Sequence, residues 1–259
     1  MRQHSTSHPA WLQHDMEQVN ALIRAQLNSE VVLIGQVVDF ILHASERVRP
    51  ALVLAAARAL GDGGERAYAL AAAVELIHIS LALHDDVTEA SGGGADAYSE
   101  GAMFGNAGNI LLGDLLYTGA FRMIVDLQDM EVMRVLSNAT NAIAEGEVRY
   151  RVARGEPAAC SPEDWLDIAR QRRARLFEAG AECMAILLGA APSARMALAD
   201  FGRHVGMAHT LETEAEDAAR FGVEQVAARA WRERAAAQAA IQAAGGAGLA
   251  EPERLALFG

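Results

Sequence analysis

Residues 75–91 read ELIHISLALHDDVTEAS, an apolar helical run that closes on Asp85, Asp86 and Glu89. Three carboxylates at i, i+1 and i+4 gather at one helix end, since residues four apart are neighbours on a helix surface. Oxygen donors grouped this way suit Mg²⁺, a hard cation held by one or two carboxylates with substrate phosphates completing its shell. The spacing therefore points to a diphosphate ligand. A solvated acidic helix end is the commoner reading of the same three residues taken alone, so the surroundings must decide.

Working outward, apolar residues recur at helical spacing on both sides. The pattern predicts helices over 11–27, 30–43, 50–60, 66–90, 103–125, 129–153, 162–190, 194–217 and 222–244. Arg49-Pro50 marks a boundary, because the residue before proline avoids the helical region and proline suits a first turn. Ala and Leu dominate a chain of 259 residues that is 52% hydrophobic and only 5% aromatic, which favours close helix–helix packing. No strand-type alternation is sustained, and the expectation is one all-α domain over 10–259 behind a disordered tail at 1–9.

Charge and cysteines narrow the function classes. A formal net charge of −12 opposes non-specific binding to nucleic acid, which needs a basic face. Cys160 and Cys183 have no metal spacing and read as reduced, which fits a cytoplasmic protein. The N-terminus lacks the apolar core of a signal peptide. The most apolar run, Ala69–Leu83, is too short to span a bilayer and carries Glu75 and His78, so no transmembrane segment is expected.

Four groups can carry chemistry: the acidic trio at Asp85; Glu214 and Asp217 at i, i+3 in HTLETEAEDAARFG; the arginines of Glu46-Arg47-Val48-Arg49-Pro50, able to grip phosphate in forked geometry; and His78, two turns before Asp85. Each has a bland counterpart. ETEAED reads equally as a solvated face, the arginines as surface ion pairs, and His78 as a core histidine.

Their order along the chain resembles the trans-polyprenyl diphosphate synthases, particularly the long-chain octaprenyl and solanesyl type. Residues 29–61, SEVVLIGQVVDFILHASERVRPALVLAAARALG, look like the family's start around its GGKRxRP motif. Residues 75–91 look like the first aspartate-rich segment, and FGNAGNILLGDLLYTGAF at 104–121 like the helix that follows. IAEGEV, RRARLFEAGAE and FGRHVGMAH match the next three landmarks. The resemblance implies an all-α isoprenoid-synthase bundle around a central cavity, usually a homodimer. It also implies a Mg²⁺-dependent head-to-tail condensation of isopentenyl diphosphate with an allylic diphosphate.

Matched position by position, the family's first DDxxD falls on Asp85, Asp86 and Glu89, and the RRG after it on Gly94, Ala95 and Asp96. The GGKR lysine falls on Glu46 and its arginine on Arg47. The isopentenyl-site histidine is His78, the lysine-threonine pair is Arg172-Arg173, and the second DDxxD is Thr213, Glu214 and Asp217. Ser80 occupies the position that opens the chain-length pocket. FGVEQVAARAWRERAAAQAA then resembles a helix far downstream in the family, so the chain reads as shortened near 217–222.

By this resemblance Arg47, His78 and Arg172 bind diphosphate, and Asp85, Asp86 and Glu89, with Glu214 and Asp217, hold the metal. Losing one donor to developing anionic charge costs about 10²–10³ in rate; here several are replaced together. The expectation is a prenyl-synthase-like subunit that is catalytically impaired, pairing as a homodimer or with an active homologue, or binding an isoprenoid diphosphate. A diverged active prenyltransferase is the alternative, and a metal-free prenyl-lipid-binding bundle a third.

Overall fold

The computed structural model describes residues 10–31, 34–36, 38–39, 42, 47–61, 63–90 and 105–245, with no strand among them. The expected tail at 1–9, Glu46, the Gly92–Gly94 run and the Gly94-Ala95-Asp96 position lie outside the described residues. So does the side chain of Glu89.

Ten helices are described: α1 (Ala10–Gln26), α2 (Val48–Ala59), α3 (Gly64–Ala90), α4 (Gly105–Asp126), α5 (Met130–Gly155), α6 (Pro162–Ala169), α7 (Arg175–Leu187), α8 (Pro192–Thr213), α9 (Ala215–Arg220) and α10 (Val226–Ala243). Residues 34–36, 38–39 and 42 are also helical. A π-helical turn, Arg170–Ala174, joins α6 to α7.

Local signals explain the boundaries. The Asp129 carboxylate caps α5 by accepting from the amides of Glu131 and Val132. Ser161 and Asp164 form a reciprocal capping box at α6, with Pro162 in the first turn.

The bundle is built round α3. Its Leu70, Ala71, Ala72, Ala73, Val74, Leu76 and Ile77 are fully buried, and its most extensive neighbour is α4. Within α3, Gly64–Val87 is long and apolar enough to cross a membrane, which exceeds the run read from the sequence. Most of it is covered by the rest of the protein. Glu75, also fully buried, lies 3.2 Å from the Arg47 guanidinium, so this helix carries a paired charge inside the bundle.

A second, smaller cluster lies at one end, where Tyr150, Trp165, Leu211, Ala218, Phe221 and Val223 pack together. It anchors the turn from α8 through α9 into α10, the region where the sequence reads as shortened. Two sequence-predicted helices are interrupted. Residues 162–190 contain the π turn, and 194–217 breaks after Thr213, with Glu214 leaving helical geometry at φ −111, ψ 29.

Candidate active site: a cavity floored by a ring of charge

A cavity of about 260 Å³ opens between α2, α3, α5, the π turn and α7. Arg49 enters from α2, His78 and Asp85 from α3, and Glu147 and Arg151 from α5. Arg172 and Arg173 come from the π turn. Leu81, Ile143 and Leu176 supply apolar wall.

The α5 and π-turn residues reach one point because the backbones approach closely. At Gly146, an added Cβ would stand 3.1 Å from the Arg172 amide nitrogen. Two glycines on α8, Gly202 and Gly206, bring that helix onto α7 and the π turn. A Cβ on Gly206 would stand 2.7 Å from Ala174 Cα.

The charged side chains close into a ring. Arg173 Nη1 lies 3.3 Å from Asp85 Oδ2, and Arg173 Nε donates to Glu214 Oε1 at 2.7 Å. Arg172 donates to both Glu214 oxygens, at 3.1 and 3.3 Å, and through Nε to Glu147 Oε2 at 2.7 Å. Arg151 completes the circuit, 3.3 Å from Glu147 and 3.9 Å from Asp85. Three carboxylates and three guanidiniums alternate, and their formal charges cancel. Arg172 is further fixed by stacking, its guanidinium carbon 3.7 Å from the Tyr150 ring centroid.

Burial and the nearby Glu147 carboxylate raise Asp85 to a pKa of about 6, against the pull of Arg173, Arg172 and Arg151. His78, buried and facing the positive charges of Arg49 and Arg173, is pushed well below the usual imidazole range. It is neutral at pH 7 and suited to hydrogen bonding rather than to holding an anion by charge.

Glu214 and Asp217 do not share a face. The helix break sends Glu214 to the two arginines, while Asp217 Oδ2 accepts from the Tyr150 hydroxyl at 2.8 Å and from Trp165 Nε1 at 3.1 Å. Arg47 is engaged with Glu75, and it is Arg49 that reaches the cavity wall. Ser80 is buried and donates to the Gly113 carbonyl at 2.8 Å, tying α3 to α4.

Arg151 and Glu147 were not singled out from the sequence. Their signal was an acid four residues before a base on one helix, which is common enough on solvated faces to pass unnoticed.

Among the described residues, no group of three or more His, Cys, Asp or Glu is arranged to hold a metal. Oxygen chemistry separates the two acidic groups. Asp85 lines the cavity beside Glu147, its carboxyl raised chiefly by desolvation, and its oxygens fit a divalent cation that also takes phosphate oxygens by giving up part of their contact with Arg173 and Arg151. Glu214 and Asp217 do not converge on one cation: both Glu214 oxygens turn to Arg172 and Arg173, while Asp217 Oδ2 turns to Tyr150 and Trp165.

Comparison with known proteins now gives the class. The sequence model for polyprenyl synthetase matches residues 31–214, and the chain belongs to that family. It is 41% identical over 198 residues to an octaprenyl diphosphate synthase of Escherichia coli K12, covering 76% of this chain and 61% of that protein. The chain thus spans about three fifths of the length of that relative. Among solved structures, it superposes on a decaprenyl diphosphate synthase from Rhodobacter capsulatus with a TM-score of 0.74 at 29% identity, over 95% of this chain and 94% of that one. A polyprenyl synthase from Caulobacter crescentus, complexed with calcium and isoprenyl diphosphate, gives 0.76 at 27% identity over 96% and 95%. The all-α isoprenoid-synthase fold expected from the sequence is the fold observed.

Proposed function

We propose that this protein binds an isoprenoid diphosphate in the cavity and is impaired in condensation, serving as a non-catalytic subunit or prenyl-diphosphate binder. The observation that carries this reading is the engagement of Glu214 and Asp217. Glu214 is held by two arginines while Asp217 is turned to Tyr150 and Trp165, so the pair does not converge on one metal and a departing pyrophosphate loses that stabilisation. The Caulobacter crescentus neighbour's complex with calcium and isoprenyl diphosphate supports the ligand class.

On this reading Asp85 and Asp86 hold Mg²⁺, which when bound neutralises diphosphate oxygens. Arg49 and Arg151 face the same anion. Neutral His78 offers a hydrogen bond, and Leu81, Ile143 and Leu176 shield the prenyl chain from water.

The partner, a second copy or an active homologue, docks on α4. Ile110 and Leu111 project from that helix, and Leu111 is 70% exposed.

A second reading, a diverged active synthase, is favoured by the convergence of Asp85, His78 and Arg49 on one cavity and by the octaprenyl diphosphate synthase relative. A Mg²⁺-dependent assay with isopentenyl and allylic diphosphates, run beside equilibrium binding of the allylic diphosphate, separates the two. Binding is expected, with turnover at least about 10²–10³ below that of a full-length relative. Elongated product at a comparable rate, abolished by Asp85→Ala, overturns the first reading in favour of the second.

A further inference from the structure

We propose that a groove between α6, the π turn, α8 and α10 is a second anion site, built for a phosphate monoester carried on a small apolar body. It shares no lining residue with the cavity described above.

The groove encloses about 360 Å³, within the range of small-molecule sites. Arg170 enters from the π turn, Arg203 from α8, and Arg229 and Arg232 from α10. Two carboxylates, Asp167 and Glu233, face these guanidiniums. Both are also engaged outside the groove: Asp167 Oδ2 accepts from Arg149 at 2.8 Å, and Glu233 pairs with His204. Asp200, outside the groove beside Arg203, balances the charge of Arg149. Four guanidiniums against two carboxylates leave a local surplus of two positive charges, on a chain whose formal net charge is −12.

Arg229 and Arg232 give the surplus its direction. Each commits its Nε to a backbone carbonyl, Arg229 to Glu224 at 3.2 Å and Arg232 to Ala228 at 3.3 Å. Among the described residues neither has a carboxylate partner, so their outer nitrogens remain available to a ligand. A phosphate monoester carries close to two negative charges at neutral pH and three acceptor oxygens, which match both the surplus and the donors. Leu166 and Met207 add apolar wall that a bare phosphate would leave in contact with water. The negative charge of the whole chain opposes a nucleic acid or an anionic membrane as the occupant. The groove lies where the sequence reads as shortened: α10, which follows 217–222 and packs along α8, supplies two of the four arginines.

The test is calorimetric titration of the full chain in EDTA, with n-hexyl phosphate and separately with inorganic phosphate. Wild type is expected to bind hexyl phosphate about tenfold or more tightly than inorganic phosphate, since burying about two methylenes gives that ratio. The double variant Arg229→Gln/Arg232→Gln should weaken hexyl phosphate binding by about tenfold or more, through lost charge-assisted hydrogen bonds. Glutamine matches arginine in helix propensity, so α10 is kept. Arg234→Gln removes a charge from the same helix at its pair with Glu212, outside the groove. It should leave Kd within about twofold.

Equal binding of hexyl phosphate by wild type and the double variant overturns the groove as its site, and leaves the cavity's diphosphate reading standing. Equal affinity for the two ligands overturns the apolar-bodied class. Failure of wild type to bind hexyl phosphate overturns the proposal outright. Sedimentation with vesicles of phosphatidylcholine and phosphatidylglycerol then names the alternative: pelleting that needs Arg229 and Arg232 makes the occupant an anionic membrane surface.

Discussion

Asp85 lies inside a protein that holds its carboxyl at a pKa of about 6, above the ordinary 3.8, mainly through burial. The folded state therefore keeps a proton that the unfolded chain has already released between these values. Stability from this group is fully present below pH of about 4 and is lost as pH rises through about 6, at up to about 1.4 kcal/mol per pH unit. Asp85→Asn should flatten that slope, measured as chemical-denaturation midpoints between pH 4 and 7. An unchanged slope would mean that the ring's arginines fully offset burial. A cation bound at Asp85 acts in the same direction as the substitution, by stabilising the charged carboxylate that burial disfavours.

At the scale of elements, the site exists because three helical segments touch at small residues. Gly206 faces Ala174 in the π turn, and Gly202 stands so close to α7 that a Cβ would lie 2.4 Å from the Phe177 carbonyl oxygen. Both obstacles are backbone or a short side chain, which cannot swing aside. Gly206→Ala is expected to destabilise the fold by about 1–3 kcal/mol, the usual cost of overpacking, read as a lower Tm. Gly155→Ala, at a position with nothing within 4 Å of the new methyl, should stay within about 0.5 kcal/mol of wild type. Equal effects of the two would remove close approach as the reason for glycine at 206.

Across the whole molecule, the apolar residues divide between core and surface in a way their pattern did not foretell. Leu76, Ile79, Leu83, Leu116, Leu176 and Phe177 are buried, whereas the equally apolar Ile110 and Leu111 lie on the outside of α4. If α4 is the docking face, Leu111→Glu should halve the mass seen by light scattering at micromolar concentration while leaving helical content unchanged. A wild-type monomer would defeat that assignment directly.

The sequence by itself determined the helices, because their 3.6-residue periodicity, proline boundaries and caps are local properties. Most predicted spans agree with the observed ones to within a few residues. It also determined the family, through landmarks spread over nearly the whole chain. The interruptions were not legible. Neither the π turn at Arg170–Ala174 nor the break after Thr213 has a periodic signature. Only the tertiary structure decided the partners of the charges. Glu214 and Asp217, three residues apart, are parted by one helix break, the first to two arginines and the second to Tyr150 and Trp165. Carboxylate oxygens go to whichever donors the packed backbone brings within reach, and that proximity is set by contacts up to 88 residues apart, as between Asp85 and Arg173.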